Sequence, residues 1–534
     1  MPDLQRLIAR FEKLRADRAA WDSHWQETAE RVLPRAAEFS SKSQNGSKRS
    51  QKIFDSTAQL ALERFASAME SLLTPRAPRW HALKVSVPEL DRMDNVRRYF
   101  ETVEDALFSH RYSTKANFAS QQFEAYLSLG AFGTGALFVN EVPGDGLRYR
   151  AVHLSEIFLA ENEAGRIDTI FRKTEMTHRQ MLQRWGKDRV SPKVASQVEA
   201  KPDETVEILH VVLPSAEYND GEADRPFASL YMELSSRHVL SENGYFEFPY
   251  IVSRYVTGPR EVYGRSPAMT ALADIKMLNE MSKTSIKAAQ KAVDPPLLIA
   301  DDGVILPLNL NPGKPNFVRM DGRSQSPVQF LQPNSRFDIS ETEQERRRRT
   351  INDAFLVTLF QILVDSPQMT ATEVLERARE KGALLARTVG RQQSEALGPM
   401  IERELGIHAR MGVLPPLPPE LVEATGEFDI EYVSPMSRAM RAEEAVGILR
   451  TLESVQQIAA VEPAVLDIFD GEAIARSLAD INGVPRRMIW GEDATAAKRA
   501  AREQQQQMAM VAQAAPQIAD VAANALLQRP APAA

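Results

Sequence analysis

Residues 266–292 read SPAMTALADIKMLNEMSKTSIKAAQKA, and residues 338–361 read DISETEQERRRRTINDAFLVTLFQ. Ser266 is a cap residue followed by Pro267 at the first helical position, where the missing N–H is harmless and φ is already set. The pattern predicts one helix to Ala292, stopped by Asp294-Pro295-Pro296, where two prolines forbid continuation. A second helix is expected from about Asp338 to Gln361. At about 1.5 Å rise per residue, each reaches roughly 35–40 Å. Between them, residues 295–336 hold short apolar runs (Leu297–Ile299, Val304–Leu306, Val328–Phe330) among prolines and glycines, so small β structure is expected. Two helices of equal span around a compact insert suggest an antiparallel pair with a lobe at one end. A rod with a knob suits assembly better than catalysis.

Composition narrows the class further. At 534 residues, 43% hydrophobic and 26% charged, the chain can form several domains with real cores. Its opening, MPDLQRLIARFEK, has charges throughout and no apolar central run, so no signal peptide is expected. The longest apolar stretch, Ala354 to Val364, contains Thr358 and Gln361 and is too short to span a bilayer. A soluble protein with no membrane partner is expected. There is no cysteine, which excludes disulfides and thiolate sites and fits synthesis in a reducing cytoplasm. The formal net charge of −7 is opposite in sign to that of a protein that grips phosphates.

Along the chain, residues 4–33 carry Leu4, Leu7, Ile8, Phe11, Leu14, Trp21, Trp25 and Val32 at helical spacing, and Pro34 ends the helix. Ser40–Arg49 is a polar loop, after which Asp55 or Ser56 caps a helix to about Leu73. Residues 88–130 read as further helices. From Ala136 to Thr257 the pattern changes to short strands at 138–139, 149–152, 157–159, 167–171, 206–212, 230–234 and 250–256. Pro143–Gly146 makes a hairpin turn there, and two short helices fall near 177–186 and 191–200. After Pro416 the chain is mostly helical, with a strand at Phe428–Val433 and helices near 438–460, 472–481 and 494–526. The fold class is α+β and helix-rich.

Residues that could carry chemistry are sparse. Gly130-Ala-Phe-Gly133-Thr-Gly135 follows a helix and precedes a strand, the reverse of a nucleotide-binding order, and no Gly-Lys-Ser/Thr follows. It reads as a helix-ending turn. The eight histidines show no metal-ligand spacing. No catalytic residue, metal ligand or cofactor is assigned.

Several stretches together resemble the portal proteins, or head-to-tail connectors, of short-tailed double-stranded DNA bacteriophages. They are Trp21–Trp25, Asp55-Ser-Thr57, Leu73-Thr-Pro75 with Trp80, Leu129-Gly130 through Gly135-Ala-Leu, and Tyr263-Gly-Arg-Ser-Pro267. Asp294-Pro-Pro296, Met369–Glu373, Gly412–Pro416 and the stretch from Arg438 to Ala445 complete the order. The resemblance covers roughly residues 1–495. It implies a portal-like ring subunit of a homo-oligomer of about twelve copies, residing in the virion at one capsid vertex and made in the host bacterial cytoplasm. Such a ring passes double-stranded DNA and meets the terminase large subunit, the major capsid or scaffolding protein and a tail adaptor. The acidic balance suits a channel that must not hold a polyanion.

On that resemblance, residues 1–265 form the wing, 266–293 and 338–362 the two stem helices, and 294–337 the clip. Residues 363–370 form a tunnel loop, 371–435 return to the wing, 436–495 make the crown, and 496–534 an Ala/Gln-rich helix and tail. Asp365, Ser366, Pro367 and Gln368 would be the tunnel-loop contacts. Lys276, Lys283, Lys287 and Lys291 lie along one face of the first stem helix. They are an ordinary solvated stripe, stacked rings of charge that meet passing phosphates, or a capsid contact. Arg346–Arg349 point around the second stem helix, so they cannot share one partner. Arg346 and Arg349 are candidates for DNA, whereas Glu341, Glu345, Arg347 and Arg348 are candidates for intersubunit or interhelix pairs. Rival readings are an enzyme using Gly130–Gly135 and a helical scaffold that binds protein partners only.

Overall fold

The computed structural model describes residues 4–41, 44, 46–77, 79–91, 93–142, 144, 146–218, 225–293, 297–299, 328–330, 337–358, 388–423, 428–432, 435–459, 462–482, 484, 488–490 and 494–508. In chain order the N-terminal part gives α1 (Leu4–Val32), α2 (Thr57–Leu73), β1 (His81–Val85), α3 (Pro88–Asp91), α4 (Asp94–Arg111) and α5 (Phe118–Phe132). The strand-rich part follows with β2 (Thr134–Val142), β3 (Gly146–Ala151), β4 (Ile157–Glu161), β5 (Ile167–Thr177), α6 (His178–Trp185) and α7 (Pro192–Gln197). It continues through β6 (Thr205–Pro214), β7 (Phe227–Glu233), β8 (Val239–Tyr245) and β9 (Tyr250–Arg254). Then come α8 (Pro267–Thr270), α9 (Leu272–Val293), β10 (Leu297–Ile299), β11 (Val328–Phe330) and α10 (Phe337–Ala354). The remainder gives α11 (Gly398–Arg410), α12 (Pro419–Glu423), β12 (Phe428–Tyr432), α13 (Pro435–Ala459) and α14 (Gly471–Ile481). The helix-rich α+β class is as expected from the sequence.

Two compact units emerge: Met1–Arg76 with His110–Ile407, and Ala77–Ser109 with His408–Ala534. In the first, β4-β5-β6-β7-β8 form an antiparallel sheet. Leu209, Val211 and Leu213 of β6 face a core with Leu7 and Phe11 of α1, while Ile208 faces Met181 and Val194 of α6 and α7. Burial on both faces explains why residues 208–213 of β6 are apolar on both sides apart from His210, instead of alternating. A smaller sheet, β3-β2-β9, lies beside it in the chain, and β10 pairs with β11. In the second unit, β1 pairs antiparallel with β12, His81 opposite Tyr432. The amide of Leu83 points away from β12 and donates to Glu104 of α4 at 2.7 Å.

Two strands and two helix boundaries differ from the sequence expectation. Strands β1 and β8 do not read as strands in the sequence; β8 carries Ser241, Glu242, Asn243 and Gly244, residues poor in strand propensity. The first of the two long helices is interrupted at Ala271, so the cap sits on the short α8 before α9 begins. Helix α10 breaks after Ala354, with Leu356 at φ 58°; residues 357–358 are helical again, and 359–361 lie outside the described residues. Phe355 and Val357 are both fully buried there. In a helix, residues two apart point to roughly opposite sides, and the turn at Leu356 lets both enter the core. Residues 359–387, which include the expected tunnel loop with Asp365, Ser366, Pro367 and Gln368, lie outside the described residues, as do most of 294–337 and residues 509–534.

Candidate functional site

Helices α9 and α10 pack antiparallel along a polar seam. Arg347 donates to Asp274 at 2.7 Å, Gln344 donates to Ser285 at 2.8 Å, and Ser285 meets Ser340 at 3.0 Å. Rising numbers on one helix meet falling numbers on the other, so the expected side-by-side pair is present. Serine side chains allow close approach without leucine-sized knobs. The remaining surface of α9 above Ser285 is open: Ile286, Lys287, Gln290, Lys291 and Val293 are all exposed.

The base of this pair sits in a socket made by residues 52–57. The Asn279 side-chain oxygen accepts from the amides of Phe54 at 2.7 Å and Asp55 at 3.3 Å, and its NH2 donates to the Lys52 carbonyl. Arg348 donates twice to Asp55 Oδ2, at 3.2 and 3.0 Å. Asp55 Oδ1 meanwhile accepts from Thr57 N at 2.9 Å and caps α2, so Asp55, not Ser56, is the capping side chain. Burial pushes the Asp55 carboxyl up, but hydrogen bonds from Thr57 and the Arg348 guanidinium outweigh it and hold it below the usual range. One carboxylate thus ties helix α2 to helix α10. An Asn279→Ala variant leaves two amides without their acceptor and is expected to lose about 1–2 kcal/mol. Thermal unfolding together with limited proteolysis at residues 48–54 reads this out, the loop becoming cleavable before the rest.

Below the socket, a glycine junction anchors the entry to α8. Gly133 ends α5 at φ 78°, and its carbonyl accepts from Tyr255 N at 2.9 Å. A Cβ on Gly133 would overlap the Gly264 carbonyl, and one on Gly264 would overlap the Gly133 carbonyl. Gly264 N donates to Thr134 Oγ1 at 2.9 Å; Ser266 Oγ donates to Ala131 O at 2.8 Å while accepting from Met269 N at 3.0 Å. The glycine-rich loop is therefore filled by the backbone of residues 264–266, where a phosphate would need open amides. Trp25 packs edge-on against Tyr263 at 5.0 Å and donates to the Phe132 carbonyl at 3.1 Å. Motifs more than a hundred residues apart in sequence meet here around one helix start.

A second anchor holds the helical stretch described from residue 388 onward. Its π-helical turn, Gln393–Leu397, contains Glu395, which accepts from the Arg254 amide at 3.0 Å and from its guanidinium at 2.8 and 3.1 Å. Gln392 donates to Arg254 O at 3.1 Å and Arg391 to Thr257 at 2.9 Å. The widened turn lets residues 391, 392 and 395 all reach the end of β9.

The sequence candidates divide by position. Lys276 pairs with Glu27 of α1 at 2.6 Å, and Lys283 with Glu280 at 3.4 Å while lying 5.4 Å from the Phe54 ring centre. Lys287 and Lys291 are exposed. Arg347 and Arg348 spend their donors inside the chain, on Asp274 with Glu343 and on Asp55. Arg346 and Arg349 stand 77% exposed, near Glu343 and Glu345. Glu341 and Glu345 are exposed on α10. Sequence reasoning missed Asn279, Arg254 and Glu395; only Asn279 left a signal, a polar residue on the same helix face as Ile275 and Ser282. Among the described residues, no group of three or more acidic or histidine side chains is placed to hold a metal.

A family profile described as bacteriophage head to tail connecting protein matches residues 4–489. The chain belongs to that family of structural connectors. It is 30% identical over 519 residues to the portal protein of Salmonella phage epsilon15, covering 95% of this chain and 92% of the relative. It is also 30% identical over 527 residues to the probable portal protein of Bordetella phage BPP-1, covering 97% and 94%. A solved neck of a native GTA particle is 14% identical, covering 74% of this chain and 87% of that one with a TM-score of 0.36, too loose an overlap to assign a fold.

Proposed function

We propose that this chain is a non-enzymatic phage portal: a closed ring of about twelve copies at one capsid vertex, through which double-stranded DNA enters and leaves. The carrying observation is the antiparallel pair α9–α10, socketed at its base and open at its top, within a chain that its family profile matches almost end to end. In this reading residues 1–265 and 371–435 are the wing, α9 and α10 the stem, 294–337 the clip, 363–370 the tunnel loop, 436–495 the crown and 496–534 an Ala/Gln-rich helix and tail. The clip would meet the terminase large subunit during packaging and a tail adaptor afterwards, and the wing the major capsid or scaffolding protein. The ring would be assembled in the host cytoplasm and kept in the virion. Among the described residues no helix is long and apolar enough to cross a membrane. The stem cations Lys276, Lys283 (half-buried), Lys287, Lys291, Arg346 and Arg349 are the pool from which channel contacts would be drawn, and Asp365 to Gln368 are the proposed constriction.

Electron microscopy of the purified chain tests this directly. Top views should show closed rings with an axial hole. Their absence in every condition would leave the helical scaffold as the better reading, and specific nucleotide binding by a monomer would restore the enzyme.

A further inference from the structure

The lysines of α9 turn away from α10. Asp274, Ser282 and Ser285 mark the side of α9 that meets α10. At about 100° per residue, Lys276, Lys283 and Lys287 point to the opposite side, with Lys291 a little beyond. The lower two are partnered within the chain, by Glu27 and by Glu280. Lys287 and Lys291 have no ion pair among the described residues. On α10, Glu341 and Glu345 form an exposed edge turned out of the seam; Glu345 has Arg348 and Arg349 at 3.6 Å, and Glu341 has no ion pair among the described residues.

The heights of these two edges agree. Across the seam Asp274 lies opposite Arg347, Ser282 opposite Gln344, and Ser285 opposite Ser340. Counting along that ladder places Glu341 between Lys283 and Lys287, and Glu345 between Lys276 and Lys283, each within about 5 Å of a lysine rung. Rotation about an axis parallel to the stem preserves height. A basic edge and an acidic edge of matching rungs, one on each helix of the pair, are what a head-to-tail contact needs.

We propose that the lysine edge of α9 in one copy docks on the Glu341–Glu345 edge of α10 in a second copy. This rests on the ring reading and deepens it, because it names the stem surfaces that meet. Lys287 and Lys291 are then neutralised between subunits, as Lys276 and Lys283 already are within the chain, and Arg346 and Arg349 are the stem cations left for DNA.

The chain has no cysteine, which makes the test clean. Full-length chain carrying Lys287→Cys with Glu341→Cys is assembled, treated with a short bis-maleimide whose reach suits a lysine–glutamate pair, and run on a denaturing gel. A ladder up to the whole ring is expected, with each single-cysteine variant running as one chain. As a second readout, Lys287→Glu should raise the concentration needed for half-assembly roughly tenfold, and adding Glu341→Lys should restore it. Intact rings that give no ladder, or Lys287→Glu rings that assemble normally yet slow DNA passage, would overturn the assignment and give the lysines to DNA. If the unaltered chain forms no rings, the ring reading fails on that measurement alone and takes this contact with it.

Discussion

An Arg111→Leu variant is expected to lose about 3–5 kcal/mol of folding stability, because it strands a carboxylate in the interior. Arg111 and Glu404 are both fully buried, and the Arg111 Nε donates to both Glu404 oxygens at 3.0 and 3.1 Å. A second guanidinium nitrogen donates to Glu404, as does the Tyr149 hydroxyl. Burial works against the guanidinium charge, but the Glu404 carboxylate outweighs it and holds the Arg111 pKa above the ordinary arginine value. Burial, reinforced by the same carboxylate, pushes the Tyr149 phenol well above its usual range. The neutral pair Arg111→Leu with Glu404→Met should recover most of the loss, since the buried guanidinium and carboxylate are then removed together. Denaturant titration of the three chains checks both parts. A double variant no more stable than the single would show that packing, not the orphaned charge, sets the penalty.

Gly264→Ala should be at least as damaging. The added methyl meets the Gly133 carbonyl, a backbone atom held by α5 on one side and by Tyr255 on the other. Neither side can move without breaking the junction, so the loss is expected at about 3 kcal/mol or more, seen as insoluble expression or a lowered Tm. Gly390→Ala is the control. An added Cβ there meets nothing within 4 Å, and near-neutral stability is expected. Comparable damage at both positions would mean that backbone freedom, not the close approach, is what Gly264 supplies.

What the sequence made legible was local. Ser266-Pro267 announced a helix start, and the Ser266 hydroxyl does cap it. Thr177 and Gln180 form a capping box at one of the two short helices anticipated in the strand-rich part. The antiparallel pair followed from length and proline placement alone. Pairings that close the fold over long separations were not legible. Arg111 and Glu404 are 293 residues apart, and nothing in either neighbourhood marks them as partners. Asp55-Ser-Thr57 could be recognised as a motif, yet its second duty, holding Arg348, needs α10 to be in place. Leu356 gave the opposite failure: its surroundings are strongly helical, and the demand to bury Phe355 and Val357 together overrides local preference.

The hydroxyl-and-amide seam between α9 and α10 has a mechanical consequence. Ser282, Ser285, Ser340 and Gln344 bury little hydrocarbon, and two helices of about five or six turns gain little from each other without it. Past Ser285 most of the upper part of α9 is exposed, with Val293 88% exposed. Such a mast cannot brace itself. On the ring reading proposed above, its stiffness would be borrowed sideways from neighbouring copies, so a solitary chain should fray from the top down while a fence of them stands upright.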